Sequence, residues 1–434
     1  MVTKRFSDRR AFLNFLGASP ILAASLVHHA LDSLTSQESS PGLQEPSHIS
    51  CQSDVIIKSV KEALNVNDFD TVARSQLSAA HYGLVTDGAF NNETLKANRQ
   101  AFAKYQIRLR RLTGIRKVDQ SVSIFGVKWD SPIFLSPVGR MNAFYPDGAV
   151  VVARAADTTR TLQILSGSPT MLSISHGIDE VNRARSQPVW VAVNSATVNQ
   201  PTIKRIEATG CPTLVWTVDD AAAGNTVGAK SLRNVGVPDL NRRADSRCSG
   251  CHDNLPPALR IEAKTPMDVI GAVGGYVDAS SQAPNWDDIK RVKDMTNMKL
   301  VLKGIVTRED AELAVEHGVD GIIVSNHGGH DDASARGSIE CLPEVIAGVA
   351  KKIPVLVDSG FRWGADVFKA LALGAVGVGI GRPHIWGLAA FGQEGVETVI
   401  ELLRRELQVV MAQTNAASIT DIRRESLMLQ TGPN

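Results

Sequence analysis

Eight short runs of apolar, often β-branched residues punctuate this chain, at 132–136, 161–166, 189–193, 213–218, 299–304, 321–326, 353–358 and 376–381. Most of the intervals between them have the length of one helix plus its loops. Runs of this length read as strands, and strands alternating with helices read as a parallel sheet joined by helical crossovers. Eight is the number of strands that closes a (β/α)8 barrel; an open doubly wound sheet is the alternative. One interval is too long for a single helix: about 225–298 forms an insertion after the fourth strand, polar and rich in Arg, Asp and Cys over 241–257. An insertion there lies on the catalytic face of a barrel and is expected to act as a lid.

Outside the eight runs the apolar residues follow a helical period. Val60 and Leu64, then Leu95 and Phe102, predict an N-terminal helical extension, and Val396, Val399, Leu403, Leu407 and Val410 predict a helix packed on the barrel. Residues 54–411 are assigned to the barrel domain and 412–434 to a C-terminal tail. The segment 1–31 carries Arg9-Arg10 just before Phe12-Leu13 and a moderately apolar stretch, the pattern of a twin-arginine export signal. A periplasmic or exported protein is therefore expected, with a basic tail on a cytoplasmic protein as the alternative. Residues 32–53, rich in Ser, Gln and Pro, read as a linker.

Composition narrows the function only slightly. Of 434 residues 43% are hydrophobic and 21% charged, and a formal net charge of +1 gives no reason to expect nucleic acid or a membrane surface as partner. The last two strands say more. Val355-Leu356-Val357 leads into Asp358, Gly360 and Arg362, and the run 376–380 leads into Gly381-Arg382-Pro383. Glycine at a strand's end lets backbone N–H groups approach a ligand, and arginine adds a planar donor fork suited to phosphate. A phosphate site after strands seven and eight is a feature of closed barrels, so these ends predict both the closure and a phosphorylated cofactor.

The segments LVLKGIVTREDAELAVEHGVDGIIVSNHGG, VLVDSGFRWGADVFKALALGA and IGRPHIWGLA together resemble the FMN-dependent 2-hydroxy acid dehydrogenases, among them glycolate oxidase, lactate oxidase and the flavin domain of flavocytochrome b2. The likeness extends over about 77 to 411. It implies oxidation of a hydroxyl-bearing carbon, with FMN as the cofactor. His327 matches the base that takes the hydroxyl proton, Asp219 the carboxylate that orients it, and Lys303 the cation beside the flavin N1/C2 carbonyl. Asp358, Gly360, Arg362, Gly381 and Arg382 match the phosphate and ribityl end. Gly139, Ser166, Thr217 and Ser325 match contacts nearer the ring, while a glutamine expected after strand three is Ala192. The resemblance also implies a small hydroxylated substrate, a homo-oligomer, and oxygen, a quinone or a cytochrome as electron acceptor.

The substrate side departs from that pattern. Two arginines and two tyrosines of the family fall here on His330, Thr226, Leu84 and Asn194. His330 is expected to supply a partial positive charge, and Arg140, at the end of strand one, to reach the pocket. Without the bidentate clamp, lactate or glycolate is an unsuitable substrate; an alcohol, a hydroxylated ring or an atypical hydroxy acid is expected instead. A flavin-binding protein with little turnover is the runner-up. A third possibility comes from Cys248-Ser249-Gly250-Cys251-His252 in the insertion, the spacing of covalent c-type haem attachment. Haem there would make an electron carrier; a Cys248–Cys251 disulfide, free thiols or a metal clip are the other readings.

Overall fold

A computed structural model describes residues 56–77, 79–167, 174–195, 197–219 and 284–430. Residues 1–31 and 32–53, Thr226, Cys248, Cys251, His252 and most of the insertion lie outside them. Eight parallel strands close into a barrel: Ile133–Leu135, Leu162–Ser166, Trp190–Val193, Thr213–Thr217, Lys299–Lys303, Gly321–Val324, Val355–Val357 and Gly377–Ile380. The eighth pairs with the first, Ile380 opposite Leu135, and that pairing completes the ring.

The strands read as nearly continuous apolar runs because both faces are covered. Phe134, Ile164, Val215, Val301, Ile323 and Leu356 fill the barrel interior. Their neighbours Ile133, Leu135, Leu165, Leu214, Leu302 and Val357 face the helices. Successive Cβ atoms alternate sides, so one strand serves two cores. The N-terminal end of the barrel is stoppered by a hairpin, Val122–Ile124 against Val127–Trp129. Its turn residues Phe125 (φ 49°) and Gly126 (φ 82°) both adopt left-handed backbone, the requirement of a type I′ turn. Ile124 and Trp129 join the interior cluster. Chemistry is therefore confined to the opposite, C-terminal face.

The helical extension is present as Asn67–Gln76, Ala79–Thr86 and Glu93–Gln100. Its buried face is Phe69, Val72 and Ala73, however, and Leu64 is 84% exposed in the turn before the first helix. The long C-terminal helix Arg382–Thr414 buries Val396, Val399, Leu403 and Leu407 as its apolar stripe predicts, and is broken at Phe391–Gly392. The assignment of 412–434 to a tail is corrected. The helix continues to Thr414, Ala416 and Ile422 are buried, and Leu427–Leu429 pairs antiparallel with Tyr105–Ile107. This three-residue strand is too short to announce itself by periodicity, and its partner lies near the other end of the domain. Among the described residues no helix is long and apolar enough to cross a membrane.

Candidate active site

Three strand ends converge on one polar cluster. The fourth strand continues through Val218, whose N–H donates to the Lys303 carbonyl at 2.9 Å, and this lays Asp219 beside the end of the fifth strand. Lys303 is buried with its Nζ 3.8 Å from Asp219 Oδ2. Gly304 (φ 114°) permits the approach: a Cβ there would stand 2.7 to 2.9 Å from the Asp219 backbone and side chain. After the sixth strand, His327 sits in left-handed backbone (φ 55°), its N–H donating to Ser325 Oγ at 3.1 Å. Asn326 is locked by a reciprocal amide pair with Asn98, 2.8 Å in each direction, and donates to the Arg336 carbonyl as well. The result is His327 Nδ1 at 3.0 Å from Asp219 Oδ1. An ionised carboxylate only accepts, so Nδ1 carries the hydrogen and Nε2 keeps its lone pair.

The charges act on one another. Burial pushes the Asp219 carboxyl up, but the Lys303 ammonium and the His327 ring outweigh it and hold it below the usual carboxylate range. For His327, burial and Lys303 push the imidazole down. The Asp219 charge and hydrogen bond, with Asp331, more than reverse this, and its pKa ends above the ordinary value. An imidazole tuned upward by a carboxylate on one nitrogen and open at the other is a proton acceptor.

The phosphate end also holds a buried cation. Arg362 stacks on Trp386 (4.7 Å) and donates from Nη1 to the Phe361 carbonyl (2.8 Å). Burial, with Arg382 and Arg99 nearby, pushes it down to about 9. A buried guanidinium whose fork is so little used calls for an anion. Beside it, a Cβ on Gly381 would meet nothing within 4 Å, and one on Gly139 only Ser166 Oγ at 3.7 Å, so both backbones are open to a ligand. Asp358 accepts from Ser136 Oγ (3.1 Å) and Ser359 Oγ (2.9 Å), its carboxylate held where the first and seventh strands end. Thr217 is buried in register with Lys303, and Ser166 closes the second strand. These residues fit a phosphorylated flavin: Arg362 and the Gly381 backbone would hold its phosphate, and Gly139, Ser166, Thr217 and Lys303 would line its ring.

The family model for FMN-dependent dehydrogenases matches residues 73–429. The chain belongs to that family. It is 36% identical over 372 residues to a peroxisomal (S)-2-hydroxyacid oxidase of Arabidopsis thaliana, covering 84% of this chain and 96% of the relative. With glycolate oxidase 1 of Oryza sativa subsp. indica it shares 34% identity over 363 residues, covering 84% and 95%. Among solved structures, a mandelate oxidase with (S)-4-hydroxymandelic acid superposes with a TM-score of 0.72 at 30% identity, covering 86% and 100%. The protein is thus an FMN-dependent oxidoreductase of the type that acts on CH–OH groups.

Against this FMN-dependent frame some expected contacts stand elsewhere. Arg382 turns its fork on protein groups. Its Nε donates to the Val85 carbonyl (2.6 Å), Nη1 to Gly328 (2.9 Å) and Nη2 to Asp87 (3.0 Å) and to His330 Nε2 (3.2 Å). It ties the helical extension to the His327 loop. The expectation that His330 supplies positive charge is corrected for the same reason: an arginine N–H donating into Nε2 requires that nitrogen unprotonated. Burial and the Arg382 charge hold His330 well below the ordinary imidazole value. Asn194 turns its side-chain oxygen to Thr197 Oγ1 (2.7 Å) in its own loop. Arg140 is exposed in left-handed backbone (φ 57°). Ala192 lies in the barrel interior in place of the expected glutamine.

Sequence reasoning missed three residues. Asp331 Oδ2 lies 3.3 Å from His327 Nδ1. Ser359 holds left-handed backbone (φ 76°) while its hydroxyl bridges Asp358 and the Gly328 N–H. Asn98, on the extension, fixes Asn326 and lies across from Gly360. The last contact makes a prediction. Gly360 has φ 90°, and a Cβ there would stand 2.2 Å from the Asn98 carbonyl oxygen. Gly360→Ala is expected to cost at least about 2 kcal/mol of stability; an unchanged denaturation midpoint would show that the extension can move away.

Proposed function

We propose that this FMN-dependent oxidoreductase oxidises a hydroxyl-bearing carbon with His327 as base, and that simple lactate or glycolate is not its substrate. The observation that carries the first half is the Lys303–Asp219–His327 chain at the ends of three strands. The imidazole takes the hydroxyl proton on Nε2 while Asp219 keeps the ring oriented and balances the imidazolium. Bound FMN supplies the acceptor for the carbon's hydrogen and its electron pair. Lys303, buried at the end of the fifth strand, offsets the negative charge that this reduction creates.

The substrate half rests on what stands at the clamp positions. His330 is neutral and engaged by Arg382, and Asn194 is engaged by Thr197. Losing one partner of a desolvated charge pair costs about 2–5 kcal/mol. The test is anaerobic bleaching of the flavin by glycolate, lactate, uncharged alcohols and amino alcohols, followed across pH. Bleaching by an uncharged or amine-bearing alcohol with weak or no response to lactate is expected. Saturation by lactate or glycolate at ordinary oxidase rates would sink the substrate half. Because the base works deprotonated and its pKa is raised, the acid limb of the rate should lie above the ordinary imidazole value of about 6.5. If no hydroxyl compound bleaches the flavin, the protein is a flavin binder with little turnover.

Export directed by Arg9-Arg10 is part of the proposal; haem on Cys248 and Cys251 with His252 as axial ligand is the alternative to a Cys248–Cys251 disulfide or free thiols, and both readings rest on sequence alone. The absorption spectrum of protein made in a host competent for both processes tests the haem. A Soret band surviving acid extraction supports it, and flavin bands alone overturn it. Signal cleavage and periplasmic recovery in that host test the export.

A further inference from the structure

We propose that Asp331 is a second carboxylate partner of the His327 imidazole, a positioning residue that also makes the pocket favour hydroxyl substrates carrying no negative charge. The inference rests on His327 being the base and extends that reading to a residue it does not include.

The geometry is specific. His327 Nδ1 has one hydrogen and two carboxylate oxygens within reach, Asp219 Oδ1 at 3.0 Å and Asp331 Oδ2 at 3.3 Å. Both side chains are largely buried, 12% and 15% exposed. Asp331 is brought there by a tight turn, with Gly328 (φ 67°) and Gly329 (φ 79°) both in left-handed backbone, which folds the chain back on the histidine four residues earlier. The next residue is engaged elsewhere: Asp332 accepts from Thr94 Oγ1 and the Ser334 N–H.

The charges facing His327 among the described residues can be summed. Lys303 from the fifth strand is positive, and Asp219 from the fourth and Asp331 from its own loop are negative. Further out, His330 is neutral, and Arg382 keeps its positive charge while bonded to His330 and to the Val85, Asp87 and Gly328 carbonyls; the charges that act on the His327 ring itself are Lys303, Asp219 and Asp331. With His327 neutral, Lys303, Asp219 and Asp331 leave one excess negative charge, and a proton on the imidazole cancels it. Proton transfer from a substrate hydroxyl is thereby favoured, because the imidazole and the three charges acting on it balance only afterwards. A substrate carboxylate would instead add a second negative charge to a desolvated site, and an uncharged or amine-bearing alcohol would not. Asp331 bears the mark of this crowding: burial, with Asp219 and Asp332, keeps its carboxyl above the usual range despite His327 and Lys303.

The test uses the full-length FMN-loaded protein and its D331N, D331E and H327Q variants. Histidine ring carbons are followed by NMR as pH is varied, the His327 signal being the one lost in H327Q. In D331N that signal should titrate at lower pH than in the wild type, with D331E restoring part of the difference. Dissociation constants of L-lactate and its uncharged isostere lactamide are read from perturbation of the flavin spectrum. Lactamide should bind at least about tenfold more tightly than lactate to the wild type, and D331N should narrow that ratio by about tenfold. An unmoved His327 titration in D331N overturns the pairing. An unchanged ratio, or failure of both probes to bind, overturns the selection by charge. If H327Q still bleaches while D331N shifts the titration, the pairing stands and the base reading fails. If H327Q is dead while D331N shifts nothing, the base stands and Asp331 is ruled out.

Discussion

Replacing His327 with glutamine is expected to leave FMN bound and to slow substrate-driven flavin bleaching by at least about 10³-fold, within the range that general-base groups contribute. Glutamine preserves a donor to Asp219 but cannot accept a proton at neutral pH. The loss should exceed that of a base standing alone, since the imidazolium here is stabilised by the buried Asp219 carboxylate only 3.0 Å away. Folding must be separated from chemistry, because His327 holds a left-handed backbone (φ 55°) that glutamine adopts less readily. His327→Asn is the control, since asparagine tolerates that conformation. Both variants should lose bleaching while the asparagine form keeps the wild-type melting temperature. Bleaching within tenfold of wild type in either would show that the hydroxyl proton goes elsewhere.

The second large effect has opposite signs in two states of the protein. Arg362→Met is expected to weaken FMN binding by about 10²–10³-fold, the loss of a buried, charge-assisted contact to phosphate. The apo-protein should be no less stable than wild type, because the hydrogen bond to the Phe361 carbonyl, the Trp386 face and the charges of Asp366 and Asp70 offset only part of the buried cation's desolvation. Arg382→Met is expected to do the reverse. Its guanidinium satisfies the Val85, Asp87 and Gly328 carbonyls, so the apo-protein should be destabilised and flavin affinity should fall only secondarily. Flavin fluorescence titration and thermal unfolding of the apo forms separate the two arginines. Wild-type affinity in the Arg362 variant would place the phosphate elsewhere.

These two arginines show how far the sequence was legible. Both follow a glycine at a strand end and look alike as letters. Arg362 packs on Trp386, just past the next strand, whereas Arg382 turns to carbonyls some 300 residues earlier in the chain, a contact that no local pattern encodes. The barrel strands were readable because burial on both faces leaves unbroken apolar runs. The pairing of Leu427–Leu429 with Tyr105–Ile107 was not, because three residues carry no period. Asp219, Lys303 and His327 were found through motifs at strand ends. Asp331 was missed because its approach depends on two successive positive φ angles at Gly328 and Gly329, a property of the backbone rather than of residue order.

The bonds from Arg382 to Val85 and Asp87, with the strand pairing between Tyr105 and Leu429, bear on how the molecule is assembled. The earliest described helices are held by a group made far later in synthesis. Contacts so distant in sequence delay productive folding, since loop closure must be bought before the contacts form. Until synthesis passes Arg382 the first helices and the His327 loop lack this anchor, and until it passes Leu429 the strand Tyr105–Ile107 lacks its partner. The active site is thus complete only after Arg382 has been made, and a product truncated before Arg382 should be a folding failure rather than a partly active enzyme.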